Sequence, residues 1–555
     1  MSGSIASGSS LIKGRGIIGY DSTNSVYRYV GVDASGTLAS NATLSAVNDA
    51  GENVSLAATE EGHLEVAVHS PISAFGDVLT ATLHPVAQVN SVYGINSQQI
   101  LTSSATGGSV TYANDLFTLQ TGTSVGGYGV LQTRKRIPYQ IGQGMLARFS
   151  TAFTTGVALS SQVAGFGTSE SGLYFGYQNA TFGTFYVNGG VRAVVTATVT
   201  VASSHSENVT VKLNNVNYTI AVTNSGNIQR TVWELAQGDY SPAWTVSPSG
   251  ATLIFVQGAA GAITIGNFSL TATSAAATWA STVTGVTATT TFAAQSAWNG
   301  DKLDGTGASG VTLDPTKLNN YAISVAQTGT SSYFVSVLPS TANNSSYIRV
   351  HSVTPTTLTP SALRQPNGPI TMSAISQGST TNLTVTSASL SGFIEGLNLH
   401  TGNRYSWGVN LAATVTTAIR PLFIIHNTRY FKSKANQKVI SVVSINGAVK
   451  HTQPVTVYLI RSIPPSTITL TGNPNFSSFH ADSAIWKDQS ATAVTVGSSS
   501  QYVFIQNLAE TSSFDFQFRN EEAVTLQPGE YLAVCAITDS GTANNVNLAV
   551  TWRED

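Results

Sequence analysis

The sequence predicts an all-β protein made of several β-sandwiches, with a small inserted β-rich domain and an extended N-terminal arm. Three observations predict this fold class. Only 9% of the 555 residues are Asp, Glu, Lys or Arg, against roughly 25% in an average soluble protein. The 50 glycines, with many Ser, Thr and Asn residues, favour tight turns. Short apolar runs alternate with period 2 between those turns, which indicates strands rather than helices.

The first two predicted regions are an arm and a sandwich. Residues 1–70 are weakly patterned and bury little by themselves, so we expect an N-terminal anchoring arm. Residues 71–191 and 286–400 are predicted to form one β-sandwich. Glycines stand beside aromatic residues at 165–177, which favours closely stacked sheets with aromatic rings packed over glycines.

The other two regions are an insertion and a second sandwich. Residues 192–285 are predicted to be a small inserted β-hairpin domain, because two alternating runs flank Asn214-Asn215. The best helix candidate of the chain is a short turn at 231–236 within it. Residues 401–555 are predicted to form a C-terminal jelly-roll-like β-sandwich, because Pro528-Gly529 precedes an apolar strand and a last strand follows.

The charge distribution argues against nucleic-acid and membrane partners. The net charge is −2, whereas a polyanionic partner requires a basic patch. The compact basic sequence Arg134-Lys135-Arg136 is interpreted as a solvated strand end or a subunit contact. No run of 18 apolar residues is present, so we expect no membrane insertion. The N-terminus lacks the apolar segment of a signal peptide.

Acidic residues are not spaced for hydrolysis. A glycosidase on a concanavalin-like sandwich typically places Glu-x-Asp-x-x-Glu on one strand, so that the carboxylates share a face. That pattern is absent. Glu60, Glu61 and Glu65 are interpreted as solvated, and Glu170 and Glu395 as isolated. We therefore predict no catalytic residues and no enzymatic activity.

Metal and cofactor sites are not predicted either. Asn299, Gly300, Asp301 and Asp304 supply clustered oxygen ligands for calcium, but Asx-turns use the same residues, and we favour turns. Cys535 lies in an apolar run and is interpreted as a buried small hydrophobe. The nine histidines are scattered, which favours structural roles over zinc: His63, His69, His84, His205, His351, His400, His426, His451 and His480.

Three tryptophans are the candidates for sugar stacking. Trp298, Trp407 and Trp486 each stand near a predicted turn. Indole rings stack on sugars when they are exposed, but Trp is also a common core residue of sandwiches. We favour the core interpretation.

Several sequence blocks resemble one family of structural proteins. The blocks are GQGMLARFSTAF, GFGTSESGLYFGYQNATFG, WNGDKLDGTGASGVTLDPTKLNNYAISV and the ending LQPGEYLAVCAITDSG with VNLAVTW. They are similar to structural proteins of tailed bacteriophages and large DNA viruses, over about residues 60–555. The resemblance implies that the sandwich of residues 71–191 and 286–400 is concanavalin-like. Ala322 and Ser324 depart from the pattern, which has larger polar or aromatic residues there.

The resemblance implies a virion component. We expect a non-enzymatic structural protein of the capsid or tail surface, such as a fibre, decoration or minor capsid protein, made in the host cytoplasm. Its expected partners are other virion proteins and further copies of itself, because low charge and many small residues suit close symmetric packing, for example in a trimer. The alternatives are an adhesin that binds a host surface glycan and a tailspike-like glycan depolymerase.

Overall fold

The computed structural model describes most of the chain beyond residue 82 and four short strands before it. The described ranges are 83–140, 142–326, 333–340, 347–354, 363–396, 402–411, 415–450, 453–462, 468–497, 500–519, 524–541 and 546–554. The chain divides into two compact units, Met1–Ile72 and Ser73–Asp555.

The N-terminal unit contains two antiparallel strand pairs. Strand β1 (Ile17–Asp21) pairs with β2 (Val26–Val30), and β3 (Ser45–Val47) pairs with β4 (Asn53–Ser55). The anchoring role of this segment stays a prediction, and Glu60, Glu61 and Glu65 lie outside the described residues.

The larger unit begins with nine strands that join two sheets. Long β10 and β11 each have a partner on both sides, which makes them central strands. The strands are β5 (Leu83–Asn90), β6 (Ile100–Ala105), β7 (Ser109–Ala113), β8 (Leu116–Gln120), β9 (Tyr128–Thr133), β10 (Gly144–Phe153), β11 (Ser160–Gly167), β12 (Gly172–Gln178) and β13 (Thr181–Asn188).

The next segment forms sheets of its own, which we call the inserted sheets. They comprise β14 (Arg192–Val201), β15 (Glu207–Leu213), β16 (Val216–Val222), helix α1 (Ile228–Ala236), β17 (Trp244–Ser249), β18 (Thr252–Ala260), a 3-10 turn (Ile265–Asn267), β19 (Ser269–Thr271) and β20 (Ala276–Val283). The sheet orders are β17-β18-β14-β20 and β16-β15-β19. Val191 bridges Val286, so the chain leaves and re-enters the first sandwich at adjacent points.

Local sequence explains two elements of the inserted sheets. Asn214 and Asn215 both have positive φ, 49° and 68°, and such residues form the two-residue turns that match the twist of a hairpin. The predicted hairpin is therefore confirmed. Helix α1 is longer than the predicted turn at 231–236, because the Asn227 side chain accepts a hydrogen bond from the Arg230 N–H and caps its first turn.

Six further strands complete the first sandwich. They are β21 (Thr289–Ala294), followed by a 3-10 turn (Gln295–Ala297), β22 (Asn319–Val325), β23 (Tyr333–Leu338), β24 (Ile348–Val353), β25 (Ile370–Ser376) and β26 (Thr384–Glu395). One sheet has the order β24-β23-β22-β10-β26-β8-β7, with β5 also on β26; the other is β21-β13-β12-β11-β25-β9-β6.

Aromatic rings fill the space between these two sheets. Tyr321 on β22 lies 5.8 Å from Phe149 on β10 and 4.8 Å from Phe175 on the opposite sheet, between ring centroids. A Cβ on Gly165 would lie 2.9 Å from Cδ1 of Tyr174. The glycines thus permit close approach of rings, as predicted.

The chain ends in a second sandwich, the C-terminal sandwich. Its strands are β27 (Asn403–Leu411), β28 (Arg420–Asn427), β29 (Tyr430–Phe431), β30 (Lys434–Ala435), β31 (Ile440–Val449), β32 (Val455–Ser462), β33 (Ile468–Gly472), β34 (Ser477–Ser478), β35 (Ile485–Asp488), β36 (Ala491–Val496), β37 (Gln501–Leu508), β38 (Ser513–Gln517), β39 (Thr525–Leu526), β40 (Tyr531–Thr538) and β41 (Val546–Glu554). One sheet is β27-β41-β31-β38 with β39 on β31, the other is β34-β35-β28-β40-β32-β37, and β29-β30 and β33-β36 are separate pairs.

The C-terminal core lies between its two large sheets and includes Trp552, Ile425 and Val534. All of the strand pairs described above are antiparallel, and the predicted fold class, all-β with several sandwiches, is confirmed. Within the described ranges, none of the helices has the length and apolar character needed to cross a membrane.

Candidate functional site

Charged side chains converge where the first sandwich, the inserted sheets and the C-terminal sandwich meet. We call this cluster the charged junction. The first sandwich supplies Arg134, Arg136, Glu170 and Arg364, the inserted sheets supply Arg192, and the C-terminal sandwich supplies Arg429, Arg461 and Glu530. In a chain with only 52 charged residues in all, 25 basic and 27 acidic, such a concentration requires a structural or binding explanation.

Glu530 is the acidic centre on the C-terminal side. It stands at the turn Gln527–Glu530 that precedes β40, and its side chain is 2% exposed. Arg461 on β32 donates from Nε at 2.9 Å and from Nη2 at 2.8 Å, and the Gln527 N–H donates at 2.9 Å. Nη1 of Arg134 lies 4.0 Å away. Glu530 therefore joins the first sandwich to the C-terminal one by charge.

Glu170 is the acidic centre on the other side. It lies in the loop between β11 and β12, and its Oε2 is 3.2 Å from Nε of Arg192, the first residue of β14. The Arg192 N–H also faces Oε1 at 3.3 Å. Burial raises the pKa of Glu170, while the charges of Arg192, Arg136 and Arg364 oppose that shift. This pair ties the first sandwich to the inserted sheets.

Arg136 and Arg429 are part-buried cations without an acidic partner within the described ranges, and the third unpaired arginine of the junction, Arg364, is exposed. Among the described residues, neither guanidinium lies within 4.0 Å of a carboxylate. Burial, with repulsion from Arg192 and Arg429, lowers the pKa of Arg136 to about 10. Burial also lowers the pKa of Arg429 to about 10, although Glu530 opposes the shift. Both arginines remain charged at neutral pH, and removing these charges from water lowers the stability of the folded chain.

A glycine makes room for Arg429. Gly529 has φ +96°, and a Cβ there would lie 1.9 Å from Nε of Arg429. The guanidinium thus rests directly on the Gly529 backbone. The Pro528-Gly529 turn, recognised in the sequence as a strand start, has this second role in the tertiary structure.

His426 on β28 is a buried neutral neighbour of the junction. Its Nδ1 is 3.3 Å from the Glu530 carbonyl oxygen, which only accepts, so Nδ1 carries the proton and Nε2 accepts from Ser247 Oγ at 3.1 Å. Its ring stacks on Tyr531 with centroids 4.0 Å apart. Burial, aided by Arg429, lowers the pKa of His426 to about 3. The histidine therefore adds hydrogen bonds but no charge at neutral pH.

An apolar contact next to the junction fixes the inserted sheets on the C-terminal sandwich. Trp233 of α1 stacks on Phe476, with centroids 5.6 Å apart, and meets Tyr531 edge-on at 5.9 Å. Arg230, one turn earlier, donates from Nη1 to the Leu470 carbonyl at 2.5 Å. Sequence analysis identified the helix but not its docking surface, because that surface comes from strands more than 200 residues away.

The basic sequence Arg134-Lys135-Arg136 is not a solvated strand end. Lys135 is exposed, whereas Arg134 and Arg136 are part-buried in the charged junction. Of the two acidic candidates, Glu170 is ion-paired there, and Glu395 ends β26 in the opposite sheet of the first sandwich. The structure places no second carboxylate beside Glu170 within the described residues.

The candidate calcium loop at 299–304 forms Asx-turns in the structure, as the sequence favoured. Asp301 Oδ1 accepts from the Leu303 N–H at 2.8 Å, and Asp304 Oδ1 accepts from the Thr306 N–H at 2.9 Å. Across the described part of the chain, no three His, Cys, Asp or Glu side chains are grouped to hold a metal. His63, His69, His400 and His451 lie outside that part. Cys535 is buried as predicted, and burial raises the pKa of its thiol.

The three candidate tryptophans are not free stacking platforms. Trp298 is 3% exposed in the first core. Trp407 packs on Phe423, and Lys487 Nζ lies 4.9 Å from its ring centroid. Trp486 is part-buried against the cluster that holds Trp233. The core interpretation is confirmed for Trp298, and the other two rings are partly covered.

The edge of the C-terminal sandwich carries exposed aromatic residues. Strands β37 and β38 end their respective sheets, and Phe504 on β37 lies 5.0 Å from Phe516 on β38, between ring centroids. Tyr502, Ile505 and Phe516 are 47%, 56% and 39% exposed. We call Phe504, Phe514, Phe516 and Phe518, whose rings contact one another, the edge patch. Tyr502 and Ile505 lie on the other face of β37, beside Tyr458. No described strand pairs with its outer side.

Comparisons with known proteins leave the family open. No family model matches the sequence, and no curated protein matches it. Among solved structures, the chain is similar to one from the crystal structure of the T13 IBDV viral particle. The identity is 9%, the match covers 75% of this chain and 70% of that one, and the TM-score is 0.13. A likeness at this TM-score supports no inference about fold or function.

Proposed function

We propose that this protein is a non-enzymatic structural component of a virus particle that acts by assembling with copies of itself through the C-terminal sandwich. The observation that carries the proposal is the edge patch. Single exposed apolar residues are ordinary, but a contiguous aromatic group on two open strand edges is typical of an interaction surface. The low charge of the chain and the quoted sequence blocks support the viral setting.

Self-association is tested by sedimentation velocity over a range of concentrations. We expect the wild type to form an oligomer, and Phe516→Lys to raise the dissociation constant of that oligomer at least tenfold, because the lysine would place a charge in the apolar contact. The matched control is Val216→Lys, at a 52% exposed residue of the inserted sheets. A wild type that remains monomeric at all concentrations would exclude assembly through the edge patch.

The particle location is tested by immunogold labelling with antibody against residues 401–555. Label on capsids would identify a decoration, head-fibre or minor capsid protein, and label at the tail would identify a fibre or baseplate protein. Free protein with no labelled particles would refute the virion proposal and favour a secreted adhesin.

Glycan binding is the second candidate, and one groove favours it. A shallow groove of about 550 Å³ on the C-terminal sandwich is lined by Gly408, Asn446, Gly447, Phe514 and Asn547, among others. Oδ1 of Asn547 is buried there and lacks a hydrogen-bond partner among the described residues, so it is ready to accept from a sugar hydroxyl. A glycan array with wild type and Asn547→Ala tests glycan binding. A signal that is lost in the variant would support binding in the groove, and a wild-type array without signal would exclude it.

A further inference from the structure

The charged junction contains more positive than negative charge. Six arginines face two glutamates, a formal excess of four. The glutamates do not balance the set, because Glu530 is already engaged by Arg461 and the Gln527 N–H, and Glu170 by Arg192. Like charges confined in a part-buried space repel one another unless a counter-charge enters it.

Two of the arginines without an ion pair in the described part of the chain are part-buried and come from different sandwiches, whereas the third, Arg364, is exposed. Nη1 of Arg136 is buried and has no hydrogen-bond partner within the described residues. The guanidinium of Arg429, resting on Gly529, has no carboxylate within 4.0 Å among the described residues. A buried donor without an acceptor costs about 1–3 kcal/mol, and more when charged, so an acceptor bound at Nη1 of Arg136 would stabilise the fold.

Solvent reaches the junction. The side chains of Arg134, Arg192 and Arg461 are 16%, 20% and 13% exposed, so these three arginines are partly in contact with water. Guanidinium forks pair with the oxygen atoms of phosphate, sulfate and carboxylate in a bidentate way. A chloride ion, as a single atom, cannot accept two parallel N–H groups of a guanidinium in this way.

We propose that the charged junction is a binding site for a small tetrahedral oxyanion, a phosphate or sulfate group, held by Arg136 and Arg429 with Arg192 beside them. These three arginines come from the first sandwich, the C-terminal sandwich and the inserted sheets, in that order. The bound anion therefore bridges all three, and it binds the folded arrangement but not the unfolded chain. Such a ligand raises the stability of the fold by mass action.

The test is thermal unfolding of the full chain at pH 7 in sodium phosphate, with sodium chloride at equal ionic strength as the reference. We expect the melting temperature of the wild type to rise with phosphate in the low millimolar range and then to saturate. General salting-out by phosphate raises the melting temperature in proportion to its concentration and does not saturate. A melting temperature that rises linearly with phosphate, or does not rise, would therefore overturn the proposal.

Variants separate an anion site from a purely structural junction. We expect Arg136→Met to lose the phosphate-dependent shift while its melting temperature in chloride stays within a few degrees of the wild type, because Arg136 has no acidic partner to lose. Arg429→Lys, which keeps the charge but not the fork, is the second variant. The control is Arg404→Met, an exposed arginine on β27, which should keep the full shift. An unchanged shift in both Arg136→Met and Arg429→Lys would refute the site.

The source of the anion is distinguished by a second titration with glycerol 3-phosphate. A shift equal to that of inorganic phosphate, or larger, assigns the site to a phosphate group carried on an organic molecule. A shift only with the inorganic ion assigns it to free phosphate. The absence of a shift with both ligands, in a wild type that is folded by circular dichroism, would exclude the oxyanion site.

Discussion

Gly529 shows how one residue controls a tertiary contact. We expect Gly529→Ala to lower the free energy of unfolding by more than about 1 kcal/mol, because φ is +96° and a Cβ would occupy the space of the Arg429 guanidinium. Chemical denaturation measures the change. Gly126→Ala is the matched control, since φ is +78° there but no atom lies within 4 Å of the new Cβ; a loss as large as that of Gly529→Ala would assign the effect to backbone conformation alone.

The low pKa of His426 predicts that the stability of the folded chain decreases in acid. Its pKa is about 3 in the folded chain, below the roughly 6.5 of an unfolded histidine. The unfolded chain therefore binds the proton more readily, and the stability contributed by neutral His426 is complete above pH 6.5 and is lost as the pH falls from 6.5 towards 3. The slope approaches about 1.4 kcal/mol per pH unit for this one proton.

Urea unfolding of wild type and His426→Gln at pH 7, 6, 5 and 4 measures that contribution. The difference in unfolding free energy between the two proteins should shrink as the pH falls. His480→Gln, at an exposed position, is the control. A difference that stays constant over the range would contradict the assignment of a depressed histidine pKa.

At the scale of elements, helix α1 packs against the C-terminal sandwich and so holds the inserted sheets in place. Its cap and length follow from nearby residues, but its burial depends on the C-terminal sandwich. We expect Trp233→Ala to cost about 3–5 kcal/mol, the usual range for a large buried aromatic side chain, because Trp233 is 2% exposed against Phe476 and Tyr531.

Differential scanning calorimetry is the measurement for Trp233→Ala. If the inserted sheets then melt separately, a second transition should appear below the main one. Tyr93→Ala is the control, since Tyr93 is 96% exposed and should leave the melting temperature unchanged. A Trp233→Ala protein with the wild-type transition would show that the helix contact does not hold the inserted sheets.

At the scale of the whole molecule, the acidic centres hold separate sandwiches in one arrangement. Glu530→Gln should destabilise the protein by about 3–5 kcal/mol, since it leaves Arg461 and Arg134 without their counter-charge in a buried site. Asp482→Asn is the control: its ion pair with Lys432 is exposed, and such pairs contribute at most about 1 kcal/mol. If Glu530→Gln and Asp482→Asn lower the denaturant midpoint by the same amount, Glu530 contributes no more to stability than an exposed ion pair.

Local sequence patterns were sufficient to predict the strands and turns of this protein. Period-2 alternation predicted strands, Asn214-Asn215 predicted a hairpin turn through their tolerance of positive φ, and low charge with abundant glycine predicted closely packed sheets. Each of these depends on interactions between residues near one another in the chain. The burial of Cys535 was predictable for the same reason, because its neighbours are all apolar.

The position of the charged junction, in contrast, could not be predicted from the sequence, because it depends on the tertiary structure. Arg134 and Arg136 stood out as a basic sequence, but Glu170, Arg192, Arg429 and Glu530 are separated from them by 34 to 396 residues, and single charged residues carry no local pattern. Likewise Trp233 and Trp298 look alike as sequence, yet one joins two parts of the fold and the other fills a single core. Contacts between distant strands are set by the packing of whole sheets, and no short segment contains that information.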